Sequence, residues 1–294
     1  MSRLAIIFRE TLTVEELRDV TNLMNAAAEA DGAHPFSEEV LLRLRQQAQH
    51  VLAYSEAQLS GYAFVDTNSQ PHKMELAVHP TFRRQGIGSA LLEKVIEQYG
   101  EVQLWAHGSN ANSALLAHHS GFSNIRTVLQ MRRSLLTHIA DVPFEQSLKV
   151  RPFNAETDSE EWLELNRLVF AEHPEQGRWQ QPDLDLRLQQ PWFDEEGFIV
   201  ALRGEHIVGF NWTKVHHIGA DESLGELYIL GVHPNFQEQG LGKALTVAGL
   251  KHLREIGMTT ALLYVDAENT SALNLYKSIG FVEWDRDTLF ARKN

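Results

Sequence analysis

Each half of the chain repeats one order of hydrophobic and polar positions. In the first half, apolar residues at helical spacing precede two short alternating runs around a polar turn, which predicts a helix and then a hairpin. A strand ended by His-Pro, an amphipathic helix, another strand, a short helix and a last strand complete the order. The first helix and the hairpin correspond to residues 13–30 and 50–67. The strand ended by His-Pro, the amphipathic helix and the next strand correspond to residues 74–80, 86–100 and 102–107, and the last strand starts at Phe122. The second half repeats the order from the hairpin onward, in residues 197–215, 226–234, 240–257, 260–266, 269–280 and 281–291.

The repetition extends to individual residues. VHPTFRRQGIGSAL begins at Val78 and VHPNFQEQGLGKAL at Val232, and ANSALLAHHSGF is echoed by ENTSALNLYKSIGF. A period of half the chain indicates a duplicated domain and not a solenoid. Hairpins followed by strand–helix–strand units predict an α/β fold of the mixed α+β kind, in which each domain has a mixed central sheet flanked by helices. We place the domains at residues 1–140 and 149–294, because periodicity fades between residues 134 and 150.

Composition excludes several classes of function. The net charge of −13 argues against nucleic acid and membrane surfaces as partners, although a local basic loop can still hold one anion. There is no cysteine, and the 14 histidines show no metal-ligand spacing, so we expect no metal. The chain start lacks the pattern of a signal peptide, and no apolar run approaches membrane-spanning length, which predicts a cytoplasmic protein.

The repeated segment has the chemistry of an anion-binding site. A strand ends at His-Pro, a short polar loop follows, and two glycines precede a helix, as Gly86 and Gly88 do in the first copy and Gly240 and Gly242 in the second. Unpaired N–H groups at a helix start, approached closely through glycine, bind phosphate or pyrophosphate. A purely structural turn remains an alternative. Rossmann and Walker nucleotide sites fit less well, because the third glycine and the G-K-[ST] sequence are absent.

Both loops resemble the Q/R-x-x-G-x-G/A signature of the GNAT N-acetyltransferases, and NTSALNLYKSIGF is similar to that family's second signature. The resemblance covers both halves and implies tandem GNAT domains with acetyl-CoA as the acetyl donor. It implies cofactor contacts in the second half from Leu230, Gly231, Val232, Gln237, Glu238, Gln239, Gly240, Leu241, Gly242, Lys243, Asn269, Ser271, Ala272 and Asn274. In the first half it implies contacts from Leu76, Ala77, Val78, Arg84, Gln85, Gly86, Ile87, Gly88 and Ser89. It also implies a strand bulge near Leu230 to Val232.

The two halves differ where acetyl transfer needs acid–base groups. Glu226 stands six residues before Val232, whereas the same offset before Val78 gives His72. Tyr276 stands four residues before Gly280, whereas the first half has Ala117 at that place. We predict Glu226 as the base or amine anchor and Tyr276, the usual GNAT general acid, as the proton donor. A strand-edge glutamate and a core tyrosine are the alternatives.

The N-terminal domain is therefore predicted to be non-catalytic. The sequence leaves open whether its loop binds acetyl-CoA or persists only as structure. The absence of cysteine is compatible with direct transfer in a ternary complex. The second loop is less basic than the first, because Glu238 stands where the first has Arg84. An acidic side chain beside a pyrophosphate is unfavourable unless it points to solvent.

Longer segments, including HPEQGRW, WTKVH, GELYILGVHP, LWAHG and ADGAHPFSEEVL, resemble the mycothiol synthases within this family. That resemblance implies a small thiol-containing pseudodisaccharide as substrate, the cysteinyl-glucosaminyl-inositol desacetylmycothiol, acetylated on its cysteinyl amine. It implies substrate contacts from Glu38, Glu175, Lys214, Glu226 and Tyr264, and a cleft between the two domains. Without the family, each of these charged residues is compatible with ordinary surface.

Three other functions remain open on sequence. The chain could be a tandem acetyltransferase for an aminoglycoside, a polyamine or a peptide N-terminus. It could instead be a non-catalytic acyl-CoA-binding module, which Glu226 and Tyr276 argue against. A purely structural dimerisation protein would leave the duplicated anion loop unexplained. Two fused domains often replace a homodimer, so we predict a monomer.

Overall fold

The protein is described by a computed structural model that covers residues 4–109, 111–173, 176–218 and 222–292. It forms two compact units. The first unit contains the chain up to Leu129, residues 266–268 and the C-terminal segment from Asp285. The second contains residues 130–265 and 269–284. Within the described ranges, no helix is long and apolar enough to cross a membrane.

The first half of the chain supplies six strands and four helices among the described residues. The strands are β1 (Leu4–Arg9), β2 (Gln49–Ser55), β3 (Gln58–Asp66), β4 (His72–Val78), β5 (Val102–Ala106) and β6 (Phe122–Ser134). The helices are α1 (Val14–Asp31), α2 (Glu38–Arg43), α3 (Ile87–Tyr99) and α4 (Ala111–His119). The first helix begins where Thr13 and Glu16 cap each other's backbone N–H groups, and it ends at Gly32 in a left-handed conformation.

The second half repeats this order. Its strands are β7 (Leu148–Pro152), β8 (Phe198–Arg203), β9 (His206–Ile218), β10 (Glu222–Val232), β11 (Thr260–Asp266) and β12 (Val282–Arg292). Its helices are α5 (Ala155–Val169), α6 (Gln181–Leu188), α7 (Leu241–Glu255) and α8 (Thr270–Ser278). The predicted hairpins, strands and later helices are all present. The sequence analysis did not identify β1, β7, α2, α5 or α6.

Each unit contains a mixed sheet. The strand order is β1-β2-β3-β4-β5-β12 in the first unit and β6-β11-β10-β9-β8-β7 in the second. The pairs β4–β5 and β10–β11 are parallel, while the hairpin strands are antiparallel. The C-terminal strand thus pairs with β5, in the antiparallel register Thr288 to Ala106. The domain division at residues 1–140 and 149–294 stays a prediction.

Apolar side chains cover both faces of each sheet. In the first unit, α1 packs through Leu23 and Met24 on one face, and α3 packs through Leu91 and Leu92 on the other. In the second unit, an aromatic cluster joins α5 and α6 to one face of the sheet. Leu241 and Leu245 of α7 pack on the opposite face.

Candidate active site

The second unit has an opening between its two parallel strands. Parallel pairing of β10 with β11 ends at the pair formed by Glu226 and Leu262, although β10 continues to Val232. Pairing of β10 with β9 continues to the end of the strand, but its register shifts between Leu227 and Ile229. A bulge of this kind kinks a strand and interrupts its ladder. Backbone groups beyond Glu226 on the β11 side are therefore open to a ligand.

This bulge lies earlier in the strand than the resemblance implied. It falls at Tyr228, ahead of the predicted stretch from Leu230 to Val232, which lies in regular pairing with β9. The extra residue lets the strand bend immediately after Glu226. The expected opening is thus present, but it starts closer to the predicted catalytic carboxylate.

The bulge also changes which residues of the two halves are equivalent. The β3–β4 ladder has no register shift, so equal offsets from His-Pro do not give equivalent positions. Glu226 lies opposite Lys214 on β9, and the matching pair in the first unit is Lys73 opposite Asp66. The residue equivalent to Glu226 is therefore Lys73, and not His72, which the equal sequence offset gave. The first unit carries the opposite charge at this position.

Glu226 is buried and has a close partner that the sequence analysis missed. Its side chain is 7% exposed, and His216 Nε2 lies 2.5 Å from its Oε2 atom. Burial opposes ionisation of the carboxyl group, but the hydrogen bond and charge of His216, together with the charge of Lys214, hold its pKa below the ordinary value. The carboxylate is thus ionised at neutral pH. The period of two along β9 places Lys214 and His216 on one face, which is a sequence signal for this partner.

Aromatic rings surround the predicted substrate residue Lys214. This side chain is buried, with its Nζ atom 4.7 Å from the ring centre of Trp192 and 5.1 Å from that of Tyr228. Arg187 of α6 is also buried and donates from Nε to the Tyr228 hydroxyl at 2.8 Å. Cations in contact with aromatic faces are stabilised by the ring quadrupole. The bulged residue Tyr228 is thereby fixed beside the strand opening.

The other predicted substrate residues lie in different places. Tyr264 of β11 is 44% exposed, and its hydroxyl accepts a hydrogen bond from Gln130 at 2.8 Å. Tyr264 follows Leu262, the pairing partner of Glu226, by two residues and so shares its face of the sheet. Glu38 begins α2 in the first unit. Glu175 lies outside the described residues.

The predicted cofactor loop of the second unit has the backbone of an anion cradle. Gly240 adopts a left-handed φ of 86° at the N-cap of α7, and Glu238 adopts a φ of 61°. The Gln237 side chain donates a hydrogen bond to the Val232 carbonyl at the end of β10, at 3.1 Å. Glu238 is exposed to solvent, the arrangement in which its charge is tolerated. The free N–H groups of the first turn of α7, at Leu241, Gly242 and Lys243, are the donors that a pyrophosphate would need.

The first unit has a loop of the same shape. Arg84 has a φ of 63° and Gly86 a φ of 82°, which match Glu238 and Gly240. Arg83 takes the place of Gln237 and donates to the Val78 carbonyl at 3.1 Å. The guanidinium of Arg83 also binds Asp31 through two hydrogen bonds. The predicted residues from Gly86 to Ser89 form the loop end and first turn of α3, while Leu76 to Val78 end β4.

Helix α8 carries the predicted acid. Tyr276 is buried, and burial raises the pKa of its hydroxyl to about 12. The phenol therefore stays protonated at neutral pH. Ala117, its counterpart on α4, is fully buried and has no proton to give. Asn269 caps α8 by accepting a hydrogen bond from the Ala272 N–H, and Ser271, Ala272 and Asn274 lie on the helix itself.

In the first unit, polar side chains close the position where the second unit opens. Pairing of β4 with β5 continues to Glu75 and Trp105, two residues beyond the point equivalent to Glu226. Glu75 is buried, and it accepts hydrogen bonds from the backbone N–H and the hydroxyl of Ser37. His107 contacts both Glu75 and Asp287 at 3.1 and 3.0 Å. The first unit thus has an anion loop without the bulge, carboxylate or tyrosine of the second.

No group of three or more histidine, aspartate or glutamate side chains is arranged to hold a metal ion in residues 4–109, 111–173, 176–218 or 222–292. The second unit carries a buried carboxylate at its strand opening, a buried phenol on α8 and backbone N–H groups at the start of α7. These are the groups that an acyl transfer from a thioester to an amine requires.

Comparison with known proteins agrees with this chemistry. The Acetyltransferase (GNAT) family matches residues 161–281, and an Acetyltransferase (GNAT) domain matches residues 46–123. A tandem GNAT protein from the clavulanic acid biosynthesis pathway has the same fold, with a TM-score of 0.75 at 17% identity over 98% of both chains. A GCN5-related N-acetyltransferase from Sphaerobacter thermophilus has a TM-score of 0.69 at 23% identity, over 98% of this chain and 95% of its own. The predicted tandem GNAT fold is confirmed.

Relatives with higher sequence identity show to which group of acetyltransferases the chain belongs. The mycothiol acetyltransferase of Thermobispora bispora is 45% identical over 93% of this chain and 95% of its own length. That of Salinispora arenicola is 43% identical over 96% of this chain and 95% of its own. Both matches run through the two units. The chain therefore belongs to the GNAT acetyltransferases and, within them, to the mycothiol acetyltransferase family.

Proposed function

We propose that the chain transfers the acetyl group of acetyl-CoA to the cysteinyl amine of desacetylmycothiol, giving mycothiol and CoA, and that the second unit performs the transfer. As a member of the mycothiol acetyltransferases, the chain is an acetyl-CoA-dependent N-acetyltransferase. The observation that carries the assignment of the site is the buried Glu226 carboxylate at the point where β10 and β11 separate.

Glu226 binds the acceptor ammonium and takes its proton in this proposal. Its lowered pKa keeps it ionised at neutral pH, which is the state that attracts a cation and accepts a proton. His216 holds the Oε2 atom, so Oε1 is the atom directed to the amine, either in contact or through one water. The neutral amine nitrogen then attacks the acetyl carbonyl carbon.

Backbone groups supply the rest of the electrostatics. The N–H groups on the open side of β10 donate to the carbonyl oxygen as negative charge develops on it. The first turn of α7 and the left-handed residues before it fit the pyrophosphate of the donor. Acetyl-CoA thus supplies the activated acyl group, and the chain orients it beside Glu226.

Tyr276 acts as the acid in this proposal. As the carbon–sulfur bond breaks, the phenol gives its proton to the departing thiolate, and the attacking nitrogen loses its second proton to solvent as the amide forms. The phenolate then regains a proton from solvent, and Glu226 releases the proton it took. Burial favours the neutral phenol and therefore keeps the proton in place until negative charge develops on the sulfur. Direct transfer needs no covalent acyl-enzyme, which is consistent with a chain without cysteine.

Acceptor contacts are assigned to Lys214, Tyr264, Glu38 and Glu175, besides Glu226. Lys214 and Tyr264 share the sheet face of Glu226, which supports their assignment. A monomeric, cytoplasmic enzyme without a metal and without nucleic-acid or membrane partners completes the proposal. The acetyl-CoA-binding capacity of the first unit remains a prediction based on its loop.

The test is an acetyl-transfer assay read by mass spectrometry. The purified chain is incubated with acetyl-CoA and either the cysteinyl-glucosaminyl-inositol or a panel of aminoglycosides and polyamines. Mass detection is needed because the proposed acceptor carries its own thiol, which reacts in colorimetric CoA assays. We expect one acetyl group on the cysteinyl nitrogen and no change in the panel. Acetylation of a panel member with the cysteinyl compound unchanged would replace the proposed acceptor.

A further inference from the structure

A row of polar and aromatic side chains continues from Tyr264 across the sheet of the second unit. Gln130 of β6 donates to the Tyr264 hydroxyl at 2.8 Å, and Arg132 donates from Nε to the Gln130 side-chain oxygen at 2.9 Å. The Arg132 guanidinium carbon lies 4.6 Å from the ring centre of Trp284 on β12. Neither the signature motifs nor the predicted contacts include Gln130, Arg132 or Trp284.

Strand register places this row on the face that carries Glu226. The Leu135 N–H donates to the Thr259 carbonyl, and Gln130 contacts Tyr264. The neighbouring strands β6 and β11 are therefore antiparallel, with Leu135 opposite Thr259 and Gln130 opposite Tyr264. That register sets Arg132 beside Leu262, the residue paired with Glu226. Side chains of directly paired residues share a face. Glu226, Leu262 and Arg132 therefore lie side by side on three adjacent strands.

Trp284 extends the row to a fourth strand. Strands are spaced about 4.8 Å apart, so the indole stands about 14 Å from β10 along the same face. This is a distance that an aminoacyl group followed by two sugar-sized rings can span. The row thus leads away from the reacting amine in steps that match the length of the proposed acceptor.

The chemistry of the row suits an uncharged polyol ring. Trp284 is 63% exposed although Arg132 lies over its ring, and exposing that much of an indole to water is costly. The Arg132 guanidinium lies over the ring, where the ring quadrupole attracts it. A flat aromatic surface packs against the C–H face of a six-membered ring, while amide and guanidinium groups hydrogen-bond the hydroxyls at its edge. The group that fits is a neutral, hydroxyl-bearing ring.

We propose that Gln130, Arg132 and Trp284 form an acceptor subsite for the hydroxylated ring portion of the substrate, remote from the acetylated nitrogen. The proposal rests on the proposed function, because it assigns the far end of the same acceptor. Tyr264 contacts Gln130 of the subsite and lies on the same sheet face as Glu226. The subsite provides binding energy that is equal in the ground state and the transition state, so it lowers KM without changing kcat.

The test compares two acceptors and three variants of the full-length chain. Trp284→Ala removes the aromatic surface, Trp284→Phe retains it, and Gln130→Ala removes the bridge to Tyr264. Leu136→Ala is the matched control, because Leu136 is an exposed apolar residue of the same unit outside the row. Initial rates are measured by mass spectrometry with the complete cysteinyl-glucosaminyl-inositol and with L-cysteinamide, which lacks both rings.

We expect Trp284→Ala to raise the KM for the complete acceptor about tenfold, with kcat and the KM for acetyl-CoA within about twofold of wild type. The kcat/KM for L-cysteinamide should stay unchanged, and Trp284→Phe should recover most of the loss. An equal loss with both acceptors, or no change with the complete one, would overturn the subsite alone. A wild-type chain inactive on the complete acceptor would overturn the proposed function and the subsite with it.

Discussion

Glu226 combines burial with a lowered pKa, and its environment sets what its replacement should do. Glu226→Gln keeps the shape and a hydrogen-bonding group for His216 but removes the charge and the basic oxygen. We expect kcat to fall by about 100-fold or more, the scale of a positioned base, with little change in the KM for acetyl-CoA. Steady-state kinetics on the cysteinyl acceptor measures both quantities.

The matched control for this variant is Glu161→Gln. Glu161 also contacts a histidine, with its Oε1 atom 3.1 Å from His206 Nδ1, but it belongs to α5 and not to the strand opening. That variant should retain wild-type kcat. If both variants lost activity equally, the loss would reflect general disturbance of the second unit, and Glu226 would have no special role.

Tyr276 is the second residue whose removal isolates one proton transfer. Tyr276→Phe keeps the buried ring and its contact with Phe281, whose centre lies 5.9 Å away, but removes the hydroxyl. We expect kcat to fall by about 100-fold while the acceptor KM stays within a few-fold. Tyr62→Phe is the control: Tyr62 is also buried with a raised pKa, but it belongs to the first unit. Wild-type kcat in Tyr276→Phe would assign the acid role elsewhere.

At the residue scale, the sequence predicts which residue types are functional better than it predicts which positions of the two units are equivalent. Glu226 and Tyr276 could be singled out because they differ between two otherwise similar halves. The comparison of Glu226 with His72 failed because an offset in the sequence ignores a bulge, which adds a residue to one strand without changing its ends. The alternation along β9 places His216 on the face of Lys214, but its contact with Glu226 also depends on the register between β9 and β10.

Among the elements, the loop that opens α3 or α7 was predictable in detail. Glycine before the helix and a polar loop after His-Pro specify the left-handed positions found at Gly86 and Gly240. Helices α2 and α6 span only about two turns each, which is too short for apolar spacing to distinguish them from loops. Their place is decided by packing against the sheets.

The two loops allow a matched pair of substitutions. No atom lies within 4 Å of a Cβ built at Gly86 or Gly240, so aspartate meets the same backbone strain and no clash in either unit. Gly240→Asp adds a negative charge where the donor pyrophosphate is expected, and we predict a rise of tenfold or more in the KM for acetyl-CoA. Gly86→Asp should leave kcat nearly unchanged. Loss of turnover in folded Gly86→Asp would contradict the division of labour between the units.

For the whole molecule, the two halves of the sequence do not predict which chain segments belong to each unit. The first unit is completed by residues 285–292, whose strand pairs with β5, and the second includes the end of β6. Both halves end in a strand of similar pattern, and nothing in an alternation of apolar residues specifies which sheet a terminal strand joins. The exchange is specified by contacts such as those of Asp285 with Ser109 and of Asp287 with Gly108.

The ion pairs of His107, the residue after β5, with Glu75 and Asp287 make the stability of the chain depend on pH. Burial disfavours the charged form of His107, but Glu75 and Asp287 outweigh it and raise its pKa to about 10. A histidine in the unfolded chain titrates near pH 6.5. Folding therefore favours the protonated form, and this contribution is complete below about pH 6.5 and lost as pH rises through about 10.

We expect the melting temperature, followed by circular dichroism, to fall by about 5 °C or more across that range. His107→Gln should be less stable at pH 6.5 and lose this slope, whereas His119→Gln, on the exposed end of α4, should keep it. Parallel pH curves for wild type and His107→Gln would show that the carboxylates around His107 do not hold its proton.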